Sequence, residues 1–308
     1  MEIIAGTTQF YLTRETAVAI GKFDGVHLGH RRLLQEILEQ KRNGLAACVF
    51  TFDPPPAVLF GSSDGKELTT IKEKRILFER MGVDILIEFP LNYETAAMAP
   101  VDFARKILAE QMNARFIAAG TDLSFGDKGA GDAQLLRKLS HELGFAVKTI
   151  EKICIQGTEV NSTYIRELLK AGHMEQVEMF LGTPYTVTGT VMHGNQIGRK
   201  LGFPTVNLVP GEGKLLPPNG VYYSAVLCKG HKYHGISNVG CKPTVTEEKR
   251  IGVETYLYDF DENIYGEEIE VYFYSFKRPE QKFDSLEALK AQLQQDIADG
   301  YKEQVKSK

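Results

Sequence analysis

Apolar and polar positions change their period along this chain. Apolar, β-branched runs at 16–23, 46–52, 84–89, 114–120 and about 146–156 predict strands covered on both faces. Between them the period lengthens to that of a helix. In 30–42, Leu33, Leu34, Ile37 and Leu38 share one face and Gly44 suits the stop; in 71–81, Ile71, Arg75 and Phe78 follow the same spacing and Gly82 ends it. Further helices fit 102–113 and 133–143. Strand–helix alternation of this kind predicts an α/β, doubly wound parallel sheet. Two more helices, 162–171 and 174–181, are separated by Gly172. From Pro184 to about 276 the period shortens to two and Tyr, Val, Thr and Gly dominate, which predicts many short strands closing into a small β-barrel. A last amphipathic helix fits 285–304, with Leu286, Leu289, Leu293 and Ile297 in line. The change of texture divides the chain into 1–183 and 184–308.

Composition narrows the class. The 308 residues carry 36 Lys and Arg against 40 Asp and Glu, a net charge of −4. That balance argues against a nucleic-acid footprint or an anionic membrane partner, while a small anionic ligand needs only local positive potential. Four scattered cysteines, Cys48, Cys154, Cys228 and Cys241, form no C-x-x-C pair and read as reduced thiols. The start shows no basic region followed by an apolar stretch, and no apolar run approaches the roughly 20 residues of a membrane helix. The expectation is a soluble, cytoplasmic protein, a monomer or transient homo-oligomer.

The first chemistry-bearing stretch is Gly21-Lys-Phe-Asp-Gly-Val-His-Leu-Gly-His30, between the first strand and the first long helix. His27 and His30 meet a helix N-terminus there, where free backbone N–H groups suit a polyphosphate. Glycines such as Gly25 and Gly29 let phosphates approach the backbone. Alone, H-x-G-H is mostly chance; on a strand–loop–helix with Phe23-Asp-Gly before it, the two imidazoles read as hydrogen-bond donors to developing charge. Asn161-Ser-Thr-Tyr-Ile-Arg166 places Ser162, Thr163 and Arg166 at another helix start, and an Arg fork clamps phosphate well.

The second stretch is Gly189-Thr-Val-Met-His-Gly-Asn-Gln-Ile-Gly-Arg-Lys-Leu-Gly-Phe-Pro-Thr-Val-Asn207. Its glycines, Gly198 among them, mark a loop able to fold closely over a ligand, with Arg199 and Lys200 adding charge. Thr205 and Asn207 alternate, so both point to one face of a strand, where a hydroxyl and an amide oxygen can hold Mg²⁺ and a phosphate. Downstream come Leu216-Pro-Pro-Asn-Gly-Val-Tyr222, Ser237-Asn-Val-Gly-Cys-Lys-Pro-Thr244, Val253-Glu-Thr-Tyr-Leu-Tyr-Asp-Phe260 and Arg278-Pro-Glu-Gln-Lys-Phe283. Tyrosines 222, 223, 256, 258, 272 and 274 read individually as barrel packing more readily than as stacking partners for a planar ring.

Together these motifs resemble the prokaryotic bifunctional riboflavin kinase/FMN adenylyltransferase (FAD synthetase) family, over about residues 12–300. The resemblance implies a HIGH-type nucleotidyltransferase domain followed by a riboflavin kinase barrel with a C-terminal helix. It implies phosphorylation of riboflavin by ATP to FMN, then adenylylation of FMN by ATP to FAD, with Mg²⁺. Carried over residue by residue, the catalytic groups are Glu254, His27 and His30. The nucleotide side is Phe23, Gly25, Gly29, Ser162, Thr163, Arg166, Gly198, Arg199, Lys200, Thr205 and Asn207, with Thr205 and Asn207 also ligating the metal. The flavin side is Asp122, Phe125, Asn238, Arg278 and Glu280. The chain departs from the family pattern at Pro55 and Asn161, at Gly129 where Arg is common, and at Tyr256 where His is common. The first three keep open the alternative that only one module is competent. A non-catalytic flavin binder would lack some of His27, His30, Thr205, Asn207 and Glu254, and all are present. A tRNA-charging enzyme would need a Lys-Met-Ser-Lys-Ser-like loop and a basic face, and the sequence has neither.

Overall fold

The structure, a computed structural model, describes residues 1–308 except 63, 195–197, 199, 200, 243–249, 307 and 308. It divides into two compact units, Met1–Ser162 and Thr163–Lys308.

In the first unit six parallel strands form one sheet: β1 (Glu2–Ala5), β2 (Thr16–Ile20), β3 (Ala46–Asp53), β4 (Ile85–Pro90), β5 (Ala114–Gly120) and β6 (Ala146–Ile150), ordered β1-β4-β3-β2-β5-β6. Their continuous apolar runs serve two cores at once. Ala17, Ala19, Ala47, Val49 and Ala118 face Leu33, Leu34 and Ile37 of the Leu28–Glu39 helix and Phe78 of the Ile71–Met81 helix. Val18, Ile20, Cys48, Phe50 and Ile117 face Phe103, Ile107, Leu108 and Leu136 on the other side. The sheet is therefore doubly wound, as the alternation predicts. Its order reverses between β2 and β5, and ligand crevices of such sheets open beyond the carboxyl ends of strands at this reversal.

Some local expectations change. The segment expected helical over 102–113 winds from Phe103 to Gln111 with i→i+5 hydrogen bonds, after a short Pro100–Asp102 turn. The last expected strand stops at Ile150. A separate hairpin follows, β7 (Cys154–Ile155) and β8 (Thr158–Glu159), turned by Gln156 and Gly157, both at positive φ.

In the second unit six strands close a barrel: β9 (Tyr185–Met192), β10 (Thr205–Leu208), β11 (Gly220–Cys228), β12 (His231–Lys242), β13 (Arg250–Leu257) and β14 (Glu268–Arg278). Every neighbouring pair is antiparallel, in the order β10-β13-β12-β11-β14-β9. Period-two alternation sends Val187, Val226, Val239, Val253 and Phe273 into the buried interior. Three hydroxyls join them: Ser224 Oγ lies 2.8 Å from Ser237 Oγ, which lies 2.7 Å from Thr255 Oγ1. On the other face Tyr223, Tyr256, Tyr258 and Ile236 meet Ile297 of the C-terminal helix, Leu286–Lys306.

The helix Ser162–Lys170, from Thr163 on, and the helix Met174–Leu181 fall in the second unit, so the division into compact units comes before residue 183, where the texture changes. The reason is packing: the Met174–Leu181 helix lies on β14 and β9, with Val177 and Phe180 buried. Of the expected aromatic cluster, Tyr222 is wholly buried in the barrel, while Tyr272 and Tyr274 sit outside beneath the Lys232 ammonium, 4.9 and 5.4 Å from their centroids.

Candidate functional site

At the sheet's reversal point the chain leaves β2 through a tight loop. Phe23, Gly25 and Val26 all take positive φ, and Phe23 and Val26 bury completely against the first core. A second segment, Glu67–Thr70, holds the loop in place. Asp24 Oδ1 accepts from Leu68 N at 2.7 Å, Thr69 Oγ1 accepts from Gly25 N at 2.9 Å, and Ser162 Oγ donates to Asp24 O at 2.8 Å. Thr70 then caps the Ile71–Met81 helix in a reciprocal capping box with Glu73.

The loop delivers His27 to the N-cap of the Leu28–Glu39 helix, where its Nδ1 accepts from His30 N at 3.3 Å. An accepting Nδ1 leaves the neutral ring's proton on Nε2. The two imidazoles stack, 3.7 Å between centroids at 18°, with Phe23 against His30 at 5.1 Å. Gly29 leaves room for this: a Cβ there would stand 3.2 Å from two His27 ring atoms. Burial lowers the His27 pKa to about 4, against the opposing pull of Asp24 and Asp122. Burial first, then repulsion from His27 when protonated and from Lys74, holds His30 well below the usual imidazole range. Both rings are neutral at pH 7. No acidic residue occupies the first turn of the helix, so the helix itself sets no carboxylate against its free N–H groups.

The structure brings Phe23, Gly25, His27, Gly29, His30 and Ser162 together here. Asp122, on the turn after β5, acts on His27 electrostatically and pairs with Lys152 at 3.7 Å. Phe125 lies elsewhere: at 3% exposure it is packed in the core, 5.3 Å from Phe103. Its surroundings are those of a core residue, and no face of its ring is open to a flavin. Thr163, exposed, and Arg166, half-buried, stand on the Ser162–Lys170 helix in the second unit. Pro55 precedes the short Pro56–Leu59 helix, and Asn161 Nδ2 donates to Glu159 O at 3.3 Å.

In the barrel, strand register builds the other site. Met192, Asn207, Glu254 and Asn238 pair in succession across β9, β10, β13 and β12. Directly paired residues project to the same face, so Asn207, Glu254 and Asn238 form one row, and Thr205 stands two residues along against Tyr256. Asn207 is 7% exposed, and Gly194 lies on its amide so closely that a Cβ there would meet Nδ2 at 2.5 Å. Gly198 O accepts from Leu201 N and Phe203 N at 3.1 and 2.8 Å, turning the chain back beside Thr205. Arg199 and Lys200 lie outside the described residues.

At the row's far end Asn238 Nδ2 donates to Glu280 Oε1 at 3.2 Å, and Asn219 Nδ2 donates to Glu280 Oε2 at 3.3 Å. Arg278, across β11 from Asn238, is committed to the C-terminal helix: its Nη2 donates to buried Asp296 at 2.6 Å and its Nε at 3.1 Å. It fastens the helix over this face of the barrel, with its fork already engaged by a carboxylate.

Sequence reasoning missed the Glu67–Thr70 segment and Asp296. Both act through tertiary hydrogen bonds, and the one local signal was Thr70 three residues before Glu73, a capping-box spacing.

Comparison with known proteins also divides the chain in two. The family model for FAD synthetase matches residues 11–164, and that for riboflavin kinase matches 181–303. Proteins named bifunctional riboflavin kinase/FMN adenylyltransferase are similar along nearly the whole chain. The one from Listeria monocytogenes is 34% identical over 95% of this chain and 94% of its own length. That from Escherichia coli K12 is 36% identical over 91% and 90%, and that from Bacillus subtilis 33% over 96% of each. A solved structure from Streptococcus pneumoniae, described as a macrolide-efflux protein, superposes with a TM-score of 0.83 at 28% identity over 96% of both chains. Among the described residues no helix of this chain is long and apolar enough to cross a membrane. With both family models matched in tandem and relatives above 30% identity aligned end to end, the chain belongs to the bifunctional riboflavin kinase/FMN adenylyltransferase family.

Proposed function

We propose that the barrel phosphorylates riboflavin with ATP to FMN, and that the parallel-sheet unit adenylylates FMN with a second ATP to FAD and pyrophosphate. The observation that carries this reading is the row Asn207–Glu254–Asn238 on three adjacent strands, which puts a carboxylate beside phosphate-side oxygen donors on a rigid surface.

In the kinase step the terminal ribityl hydroxyl attacks the γ-phosphorus of ATP and ADP leaves. Glu254 accepts the hydroxyl proton as general base. Strand pairing on both sides of β13 fixes its backbone, so little is lost in orienting it. The residues present fit a Mg²⁺ ion: Thr205 and Asn207 supply hard oxygen donors, and the close approach of Gly194 makes a cradle at the Asn207 amide. When bound, Mg²⁺ supplies charge neutralisation across the phosphates. Asn238 and Glu280 bind the flavin edge, with Arg278 shaping the face through Asp296.

In the adenylyltransfer step an FMN phosphate oxygen attacks the α-phosphorus of ATP and pyrophosphate leaves. Neither reactant needs a covalent nucleophile. The helix N-terminus, Gly25 and Gly29 cradle the polyphosphate, and His27 Nε2–H donates to charge that builds on it. Ser162 supplies a further phosphate contact, and Asp122 serves the flavin. Both reactions act on small soluble molecules, which supports a cytoplasmic enzyme with no nucleic-acid partner, working as a monomer or transient homo-oligomer.

The paired test uses two variants of the full chain. Glu254→Gln abolishes FMN formation and leaves FAD formation from supplied FMN intact, and His30→Ala does the reverse. Loss of both activities from either variant, with circular dichroism unchanged, would sink the two-site assignment.

A further inference from the structure

Lys74 is 5% exposed, although an ammonium group is almost never buried to that extent without a reason. Its Nζ donates to Glu67 Oε1 at 2.7 Å. Exchanging such a pair for apolar side chains is often neutral or stabilising, so stability alone does not account for it. Its position does suggest a purpose. Lys74 and Phe78 are four residues apart on one face of the Ile71–Met81 helix. Phe78 packs edge-on against Phe23 at 5.5 Å, and Phe23 packs against His30 at 5.1 Å. Glu67 begins the segment whose Leu68 and Thr69 fasten Asp24 and Gly25. One ion pair thus joins the helix beneath the histidines to the segment that shapes their loop.

We propose that Lys74 is a positioning residue of the FAD-forming site, its ammonium held by Glu67 where the Ile71–Met81 helix meets the segment that fastens the histidine loop. This rests on the adenylyltransferase reading above. A fixed positive end there does two things without touching substrate. It adds to burial in disfavouring a charged His30, and it adds standing positive potential to a site where negative charge accumulates on the departing pyrophosphate. The groups acting on the histidine pair are Asp24 and Asp122 on His27, and His27 and Lys74 on His30.

The test measures FMN-to-FAD and riboflavin-to-FMN rates on the same preparations of full-length wild type, Lys74→Met and Lys74→Arg. A double variant, Glu67→Gln with Lys74→Met, is added because it removes the partner carboxylate's charge together with the ammonium. We expect Lys74→Met to lower kcat for FAD formation by about 10- to 100-fold, with KM for ATP changing less and the kinase rate within twofold. Lys74→Arg should recover most of the loss, and the double variant should stay as slow as Lys74→Met. In ligand-free protein, NMR titration of His30 should move upward in both Met-containing variants. A double variant with wild-type FAD formation would overturn the proposal, showing the pair to be structural only. So would an unmoved His30 titration. If wild type itself makes no FAD from FMN, the adenylyltransferase reading fails, and the His30 titration still decides whether Lys74 acts on the pair.

Discussion

Gly194→Ala is the sharpest perturbation of the kinase site. A Cβ at this position would stand 2.5 Å from Asn207 Nδ2 and 2.6 Å from Cγ and Oδ1, where ordinary contact begins at 3.4 Å. The amide or the loop must therefore yield by about 0.9 Å. The Asn207 backbone cannot retreat, since its strand is paired on both sides, to Met192 and Glu254, so the side-chain amide itself must turn out of place. A displacement of about 1 Å in a reacting group costs on the order of 100-fold in rate, or about 2.7 kcal/mol of transition-state stabilisation. The assay is initial-rate FMN formation from riboflavin, ATP and Mg²⁺, with FAD formation from supplied FMN on the same preparation as the internal control. The expected result is a fall of about 100-fold in the first rate and less than twofold in the second. An FMN-forming rate within threefold of wild type would refute the argument that the Asn207 amide, held by the Gly194 contact, orders the phosphate side.

Other consequences concern stability. Because burial depresses the His27 pKa to about 4, its neutral ring contributes fully above pH 6.5. That contribution is lost as pH falls toward 4, by about 3 kcal/mol. Urea midpoints at several pH values should fall less steeply for His27→Asn than for wild type, and parallel slopes would contradict this. Asp296→Ala leaves the Arg278 guanidinium, 14% exposed, without its carboxylate, and should cost about 3–5 kcal/mol, read as lost cooperativity of the C-terminal helix in hydrogen exchange. Ser237→Ala removes the middle hydroxyl of the buried row and strands Ser224 and Thr255, which should cost about 1–3 kcal/mol in chemical denaturation.

The elements most legible in the sequence were those whose signal is local. Leu33, Leu34 and Ile37 lie on one helical face because three- and four-residue spacing determines it, and the first sheet was readable because each strand is buried on both sides. The row containing Asn207 and Glu254 needed register as well, which alternation suggests and pairing completes. What escaped is tertiary. Leu68 reaches Asp24 across 44 residues, and Arg278 reaches Asp296 across 18, with no periodicity announcing either. Phe125 illustrates the same limit: a Phe between two turns has one composition whether it lines a ligand or fills a core, and its contact with Phe103 decides for packing. The boundary at 183 follows a change of texture, yet Val177 and Phe180 find their burial on the barrel side, so the compact units part earlier. β1 was missed because a short edge strand of four residues, only partly buried, carries little pattern.

One chain carries the modules for both reactions. The purified protein, incubated with riboflavin, ATP and Mg²⁺, is resolved by chromatography into riboflavin, FMN and FAD, beside a second tube started from FMN. FMN should rise first and FAD follow in the first tube, and FAD should form from the outset in the second. A first tube that stops at FMN beside an unchanged second tube would contradict the two-reaction assignment and leave a kinase alone; FAD formed only from supplied FMN would contradict it from the other side.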